Sequence, residues 1–143
     1  MPAAVAAFGK VWEDGSYSVL ARVAALEGTG LEYVAGEGNV LKQVDITSVT
    51  GKVFNLGTDK NNLAGTEVTP APTLTVSGNF YDVLRTVGWP TPGDPHGYNF
   101  RMDLGVIYTA DPDTWYLFEA RITLTGGGVI WVVTKVKTVP VQT

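Results

Sequence analysis

The chain has 143 residues, a formal net charge of −4, 45% hydrophobic residues and 17% charged residues. This length suits one domain with its own core, and we expect a single domain over residues 1–143. The absence of cysteine excludes disulfides, thiolate nucleophiles and zinc–thiolate sites. The acidic balance, with no basic stripe, argues against nucleic acid as a partner. No run approaches the roughly 20 apolar residues of a membrane helix, so no membrane contact is expected.

The first ten residues are apolar and rich in alanine. No positive residue precedes the apolar stretch, which argues against a secretory signal and predicts synthesis in the cytoplasm. Two structures fit the segment: a short apolar arm over residues 1–10 that contacts a neighbouring subunit, or an edge strand from Val5 to Trp12. Ser16–Leu26 and Leu31–Ala35 follow and predict a hairpin around a glycine-containing turn.

The middle of the chain predicts one long irregular strand. It runs from Ile46 to Leu56, and we expect a bulge in it because Ile46 and Val49 differ in parity and Gly51 interrupts the run. The polar segment 59–61 that follows lacks the glycine and glutamate positions of a calcium loop, so a calcium loop of that type is rejected.

The next segments are shorter. Leu74–Ser77 predicts a short strand. Residues 79–87 fit either a short helical turn capped by Asn79 or an irregular strand. The three prolines within residues 89–97 predict a loop outside any central sheet. Trp89 in this loop either contacts a partner or plugs the end of the core.

The C-terminal third gives the clearest signal. Tyr98–Leu104 alternates apolar and polar residues, as a half-buried strand does. Trp115–Leu124 alternates in the same way, and a glycine turn separates it from Val129–Val136, which predicts a long hairpin. Residues 138–143 carry a proline after the last strand and predict a second short apolar arm.

No constellation of catalytic residues is found. His96 is the only histidine, and the chain has no nucleophile elbow to accompany it. Glu119 alternates with Arg121, as Asp103 does with Arg101, which a solvated face of mixed charge explains better than an acid pair. We therefore expect no catalytic, cofactor-binding or metal-binding residues, and a protein that is not an enzyme.

The segment Asp94–Tyr98 resembles the tyrosine corner of immunoglobulin-like sandwiches. An alternating strand follows it, as that fold requires, with Phe100 where antibody domains carry a cysteine. The resemblance and the strand pattern together predict an all-β fold: an immunoglobulin-like antiparallel β-sandwich with one short helical segment.

A second resemblance spans Val40 to Val136 and rests on the order of four strings. The strings are Ile46–Leu56, Leu74–Ser77, Tyr81–Leu84 and Gly97–Phe100. In this order the chain is similar to small phage-encoded immunoglobulin-like virion proteins, including the N-terminal domain of phage baseplate upper proteins. The resemblance implies a non-enzymatic structural protein of a tailed-phage virion, with other virion proteins as partners and a homo-oligomer in the particle. Capsid decoration or cement is the leading role, and a tail or neck component comes next.

The expected contact residues lie mainly at the two chain ends. The alternative function is a carbohydrate- or receptor-binding β-sandwich module, which needs coplanar exposed aromatic residues and calcium. The interface predicted for the virion role consists of Val5, Phe8, Trp12, Trp89, Val139 and Val141.

Overall fold

The computed structural model describes residues 3–24, 40–88 and 97–141, with the backbone alone for residues 3–12. Eight strands alternate with three short helical segments. The helix α1 covers Val76–Asn79, and 3-10 turns cover Gln43–Asp45 and Val106–Tyr108. The strands are β1 Ala3–Trp12, β2 Tyr17–Ala21, β3 Ile46–Gly57, β4 Thr66–Glu67, β5 Phe80–Arg85, β6 Tyr98–Leu104, β7 Trp115–Leu124 and β8 Val129–Val139.

The strands form two sheets. The larger sheet has the order β1-β8-β7-β3-β4 and the smaller has the order β2-β6-β5. All pairs are antiparallel except β1 with β8, which is parallel. The order β8-β7-β3 is that of strands G, F and C in an immunoglobulin domain, and β2-β6-β5 is that of strands B, E and D. The expected all-β immunoglobulin-like sandwich with a short helical segment is therefore confirmed.

The hairpin at the C-terminus forms as predicted. Its strands β7 and β8 alternate buried and partly exposed residues, with a break only at Arg121. The predicted strand Tyr98–Leu104 is β6, with the same bounds. The irregularity expected in β3 lies between Ile46 and Ser48, where the register with β7 shifts. Gly51 is not part of it, since Gly51 pairs regularly with Ala120.

The segment after β4 corrects two predictions. Leu74–Ser77 is not a strand: residues 74 and 75 belong to no regular element, and residues 76 and 77 begin the helix α1, whose N-cap is Thr75, with its hydroxyl oxygen accepting from Gly78 N. Asn79 ends this helix instead of capping a new one, and its side-chain oxygen accepts from Thr75 N. Phe80–Arg85 is the irregular strand β5. The helical spacing of apolar residues from residue 80 onward therefore does not mark a helix. The segment is a strand, and Val83 in it is exposed.

One core lies between the two sheets. Three fully buried phenylalanines connect the layers: Phe100 lies 5.1 Å from Phe80 and 6.5 Å from Phe118 between ring centroids. Burial of such rings removes about 150–250 Å² each from water and is a main source of stability. Leu74, just before α1, packs into this core so closely that a β-carbon at Gly51 would lie 2.4 Å from its Cδ1.

The predicted tyrosine corner is found at a different tyrosine. Tyr98 lies on β6, the position of strand E, and its hydroxyl donates to Val87 O at 2.8 Å. The corner of an immunoglobulin domain belongs near the start of strand F, which is β7 here. At that place Tyr116 accepts a hydrogen bond from Asp111 N through its hydroxyl, at 3.0 Å. The acidic segment before Tyr98 misled the sequence prediction, because a similar acidic turn precedes Tyr116.

The N-terminal segment is strand over residues 3–12. β1 pairs with β8 in unbroken parallel register from Ala3 opposite Ile130 to Trp12 opposite Val139. The edge-strand alternative, predicted from Val5 to Trp12, is therefore the one that the structure shows, and the free arm predicted over residues 1–10 is wrong for residues 3–10. The predicted hairpin partner Leu31–Ala35 lies outside the described residues, and so does the proline-rich loop from Trp89 to His96.

A partly exposed sheet face as candidate interaction surface

The larger sheet has one face against the core and one face away from it. We call the second the outer face and define it by the residues of β3, β7 and β8 whose side chains alternate with the buried ones. Its apolar members are Phe54, Trp115, Leu117, Val129, Trp131, Val133 and Val139; its charged members are Lys52, Glu119, Arg121, Lys135 and Lys137.

Strand register arranges these residues in rows across the face. Phe54, Leu117 and Lys135 form one row, because Leu117 is opposite both of the others. The next rows place Glu119 between Lys52 and Val133, and Arg121 beside Trp131. Aromatic rings, aliphatic side chains and arginine thus alternate on this face, and aromatic residues and arginine are enriched at protein–protein interfaces.

The outer face is basic although the whole chain is acidic. On these three strands it carries four cationic side chains and one anionic side chain, a difference of +3, against −4 for the chain; Glu67 of β4, opposite Phe54, adds one carboxylate at its margin. Two of the cations have partners within the chain: Lys135 Nζ donates to Lys60 O at 2.6 Å, and Lys137 Nζ lies 3.2 Å from Asp113 Oδ1. The sheet therefore gathers cations that are scattered along the sequence, which the composition alone did not predict.

The predicted contact residues fall into three groups. Trp12 and Val139 are opposite each other at the end of β1 and β8, whereas Val5 is opposite Val132 and Phe8 is opposite Lys135. Val141 follows β8, is 48% exposed, and donates its backbone N–H to Glu13 Oε1 at 2.7 Å. Trp89 lies outside the described residues. The structure thus brings Trp12, Val139 and Val141 to one end of the sandwich.

This end of the sandwich is tied together by hydrogen bonds. Glu13 N donates to Val139 O, and Thr109 Oγ1 donates to Gly15 O at 2.6 Å. The buried Thr138 hydroxyl donates to Asp111 O at 2.6 Å and accepts from Thr114 N at 2.9 Å. Residues 138–141 are therefore anchored to the domain, and the arm predicted over 138–143 is wrong for these residues.

The residues of the outer face that the sequence analysis passed over are Phe54, Leu117, Trp115, Trp131 and Val133. A signal for two of them was present, because Trp115 and Leu117 share the parity opposite to the core residues of the same strand. Their combination with Phe54 and Trp131 needed the register between strands.

Shifted pKa values lie away from the outer face. The Ser18 hydroxyl, which donates to Asp103, lowers the pKa of that carboxyl, and Arg101 adds to the effect. Burial raises the pKa of Tyr17, Tyr108 and Tyr116. Within residues 3–24, 40–88 and 97–141, no group of three or more His, Asp or Glu residues could hold a metal ion. The same described residues contain no helix with the length and apolarity to cross a membrane.

Comparisons with protein-family models, with curated proteins and with solved structures found no match.

Proposed function

We propose that the protein is a non-enzymatic structural component of a tailed-phage virion that attaches to other virion proteins through its outer face. The observation that carries the proposal is the outer face itself: a partly exposed surface of mixed aromatic, aliphatic and basic residues on a well-packed sandwich. The sequence resemblance to phage immunoglobulin-like virion proteins supplies the setting. Decoration or cement of the capsid is the leading role, and a tail or neck position is the second.

The charge distribution indicates what the outer face binds. A face with an excess of +3 on an acidic chain favours an acidic partner surface, and complementary charge mainly speeds and orients association. The apolar side chains that lie among the charges supply desolvated contact area, which carries most of the affinity at such interfaces. We therefore expect binding to a particle that weakens, without vanishing, as salt rises.

The experiment uses particles of the phage that encodes the chain, assembled with its gene deleted. Purified protein is added, and the particles are sedimented. We expect the wild type to cosediment at a fixed ratio to the major capsid or tail protein. Leu117→Glu on the outer face should bind at least tenfold more weakly, since it replaces an apolar side chain next to Phe54 with a charged one.

The matched control is Val83→Glu, an equally large change at a 76% exposed residue of the other sheet. It should bind like the wild type. Equal binding of Leu117→Glu and wild type would remove the outer face from the contact. The virion role would be overturned if the wild type bound to no particle fraction and if the chain were also missing from normal particles.

The carbohydrate-binding alternative is less well supported by the geometry. Trp115 and Trp131 share the outer face, but Trp131 is opposite Arg121, six residues along β7 from Trp115. That spacing is about 20 Å, too far for one sugar ring to contact both. Binding of the isolated protein to glycans, lost in Trp131→Ala, would favour this alternative instead.

A further inference from the structure

β1 leaves a long strand edge unpaired among the described residues. It is the terminal strand of the larger sheet, and its pairing with β8 runs over ten consecutive residues without a bulge. At about 3.3 Å per residue this edge is roughly 33 Å long. Every second residue of an edge strand directs its N–H and C=O away from the sheet, so the edge is a template for another strand.

The other sheet edges are short or irregular. β4 has only two residues and leaves most of β3 without a neighbour on that side, but β3 carries Lys52 and its register with β7 shifts near both of its ends. β2 has five residues. β5 has six residues, and its register with β6 shifts between Phe80 and Arg85. Short and irregular edges are a common protection against unwanted strand pairing. β1 is the exception, since it is both long and regular.

The sequence of β1 carries none of the usual protective features in its first seven residues. Residues 3–12 contain no proline, and Lys10 is their single charged residue. Lysine, proline and bulges are the devices that keep natural edge strands from pairing. The strand is thus suited to accept a neighbour along most of its length.

We propose that β1 pairs antiparallel with β1 of a second copy about a two-fold axis, joining two five-stranded sheets into one. In an antiparallel pair, two opposite residues either both direct their N–H and C=O groups toward each other or both direct them away. The two-fold axis that relates a strand to its paired copy therefore passes between a residue and the same residue of the copy. Centring on Ala7 puts Lys10 opposite Ala4 of the other copy, and centring on Phe8 puts it opposite Ala6.

Charge supports a second copy as the occupant. In both registers the two Lys10 α-carbons lie about 14–20 Å apart along the strands. This separation exceeds the screening length of about 8 Å at physiological salt, so repulsion between the Lys10 charges of the two copies is largely screened. A two-fold pair is also closed, because each copy uses the same edge and leaves none for further addition.

The inference is independent of the proposed virion role, because the edge pairs with its copy whether or not a particle is present. The test is sedimentation equilibrium of the full chain over a wide concentration range. We expect a reversible monomer–dimer equilibrium for the wild type. Ala6→Lys, at the register position opposite Val133, should raise the dissociation constant of the dimer at least tenfold, because it places charge at the edge.

Thr123→Lys is the control, since it adds the same charge to the outer face on β7, two strands away from the edge. It should dimerise like the wild type. If Ala6→Lys does not fold, judged by circular dichroism, Ala4→Lys opposite Trp131 takes its place. A monomer at all concentrations overturns the proposal, and so does a dimer that Thr123→Lys abolishes or that both edge variants leave intact.

The orientation is tested separately. The chain has no cysteine, so Lys10→Cys gives a unique position for a spin label. Pulsed electron paramagnetic resonance should find a label separation of roughly 15–25 Å in the dimer, the two-fold antiparallel distance with allowance for the labels. Labels in direct contact would indicate parallel strands, and a separation well beyond this range would indicate a contact elsewhere; either result overturns the proposal.

Discussion

The side-chain amide of Asn99 takes the place of a neighbouring strand for Val23. Asn99 Oδ1 accepts from Val23 N at 2.6 Å, and Asn99 Nδ2 donates to Val23 O and Leu41 O, both at 2.9 Å. Val23 and Leu41 stand on either side of the segment 25–39, and Leu41 N donates directly to Val23 O. One fully buried side chain therefore holds the two ends of that segment to β6.

Replacing Asn99 is expected to be strongly destabilising. Asn99→Ala leaves Val23 N and Leu41 O buried without these partners, and each unsatisfied group costs about 1–3 kcal/mol. We expect the free energy of unfolding to fall by roughly 2–5 kcal/mol in urea titrations. Asn61→Ala in an exposed turn is the control and should change it by less than about 0.5 kcal/mol. Similar small effects for both variants would show that water replaces the amide of Asn99.

Gly97 gives a second test, of backbone geometry. Its φ is +83°, and a β-carbon there would lie 1.8 Å from Arg85 O, a backbone atom that has no rotamer to change. Gly97→Ala should lower the free energy of unfolding by at least about 2 kcal/mol, through strain and displaced backbone.

Gly105→Ala is the matched control for Gly97→Ala. The φ of Gly105 is −82°, and nothing lies within 4 Å of its added β-carbon. Its substitution should be neutral or stabilising by up to about 1 kcal/mol, because alanine restricts the unfolded chain. Thermal unfolding of the two variants, measured side by side, compares their melting temperatures. Equal melting temperatures would contradict the close approach of Gly97 to Arg85 O.

The corner at Tyr116 predicts a loss of stability on removal of one oxygen. Tyr116→Phe keeps the buried ring but takes away the acceptor of Asp111 N. The cost should be about 1–3 kcal/mol, measured by urea unfolding. Tyr81→Phe, at a partly exposed tyrosine of β5, serves as the comparison and should cost less. An unchanged midpoint in Tyr116→Phe would mean that Asp111 N finds water in the folded protein.

Asp103 predicts a pH dependence of stability. Its pKa is lowered in the folded protein, first by the hydrogen bond from Ser18 and also by Arg101. A lowered carboxyl pKa contributes stability that is present above the unfolded pKa of about 3.9 and is lost as pH falls through the folded pKa. Asp103→Asn should therefore be less stable than wild type at pH 7 and nearly equal at pH 2.

The size of this effect is small because the Asp103 side chain is 65% exposed. Solvent screening limits it to less than about 1 kcal/mol. Unfolding curves at both pH values give the difference directly. A larger gap between wild type and Asp103→Asn at pH 2 than at pH 7 would reverse the sign and refute the assignment.

The candidate surface could be predicted from the sequence only in part. The parity of residues 115–124 separates Tyr116 and Phe118, which are buried, from Trp115 and Leu117, which are not. Periodicity within one strand reveals this because successive side chains point to opposite faces. The basic character of the outer face needed the register, since Lys52 and Lys135 are far apart in the chain and lie in one sheet only after β3 and β8 pair with β7.

The sequence by itself determined the strand character of β3, the hairpin at the C-terminus and the bounds of β6, because these depend on local alternation and on glycine turns. Only the tertiary structure decided that Tyr116 and not Tyr98 forms the corner, that residues 76 and 77 are helical, and that β1 lies parallel to β8. Each of these depends on groups distant in the chain: Asp111 is placed by hydrogen bonds from Thr138 and Asn55, Leu74 is held by the core beside Gly51, and β1 reaches an edge that forms more than a hundred residues later. Local patterns report which face of a segment is buried, whereas the partner that buries it is chosen by packing of the whole domain.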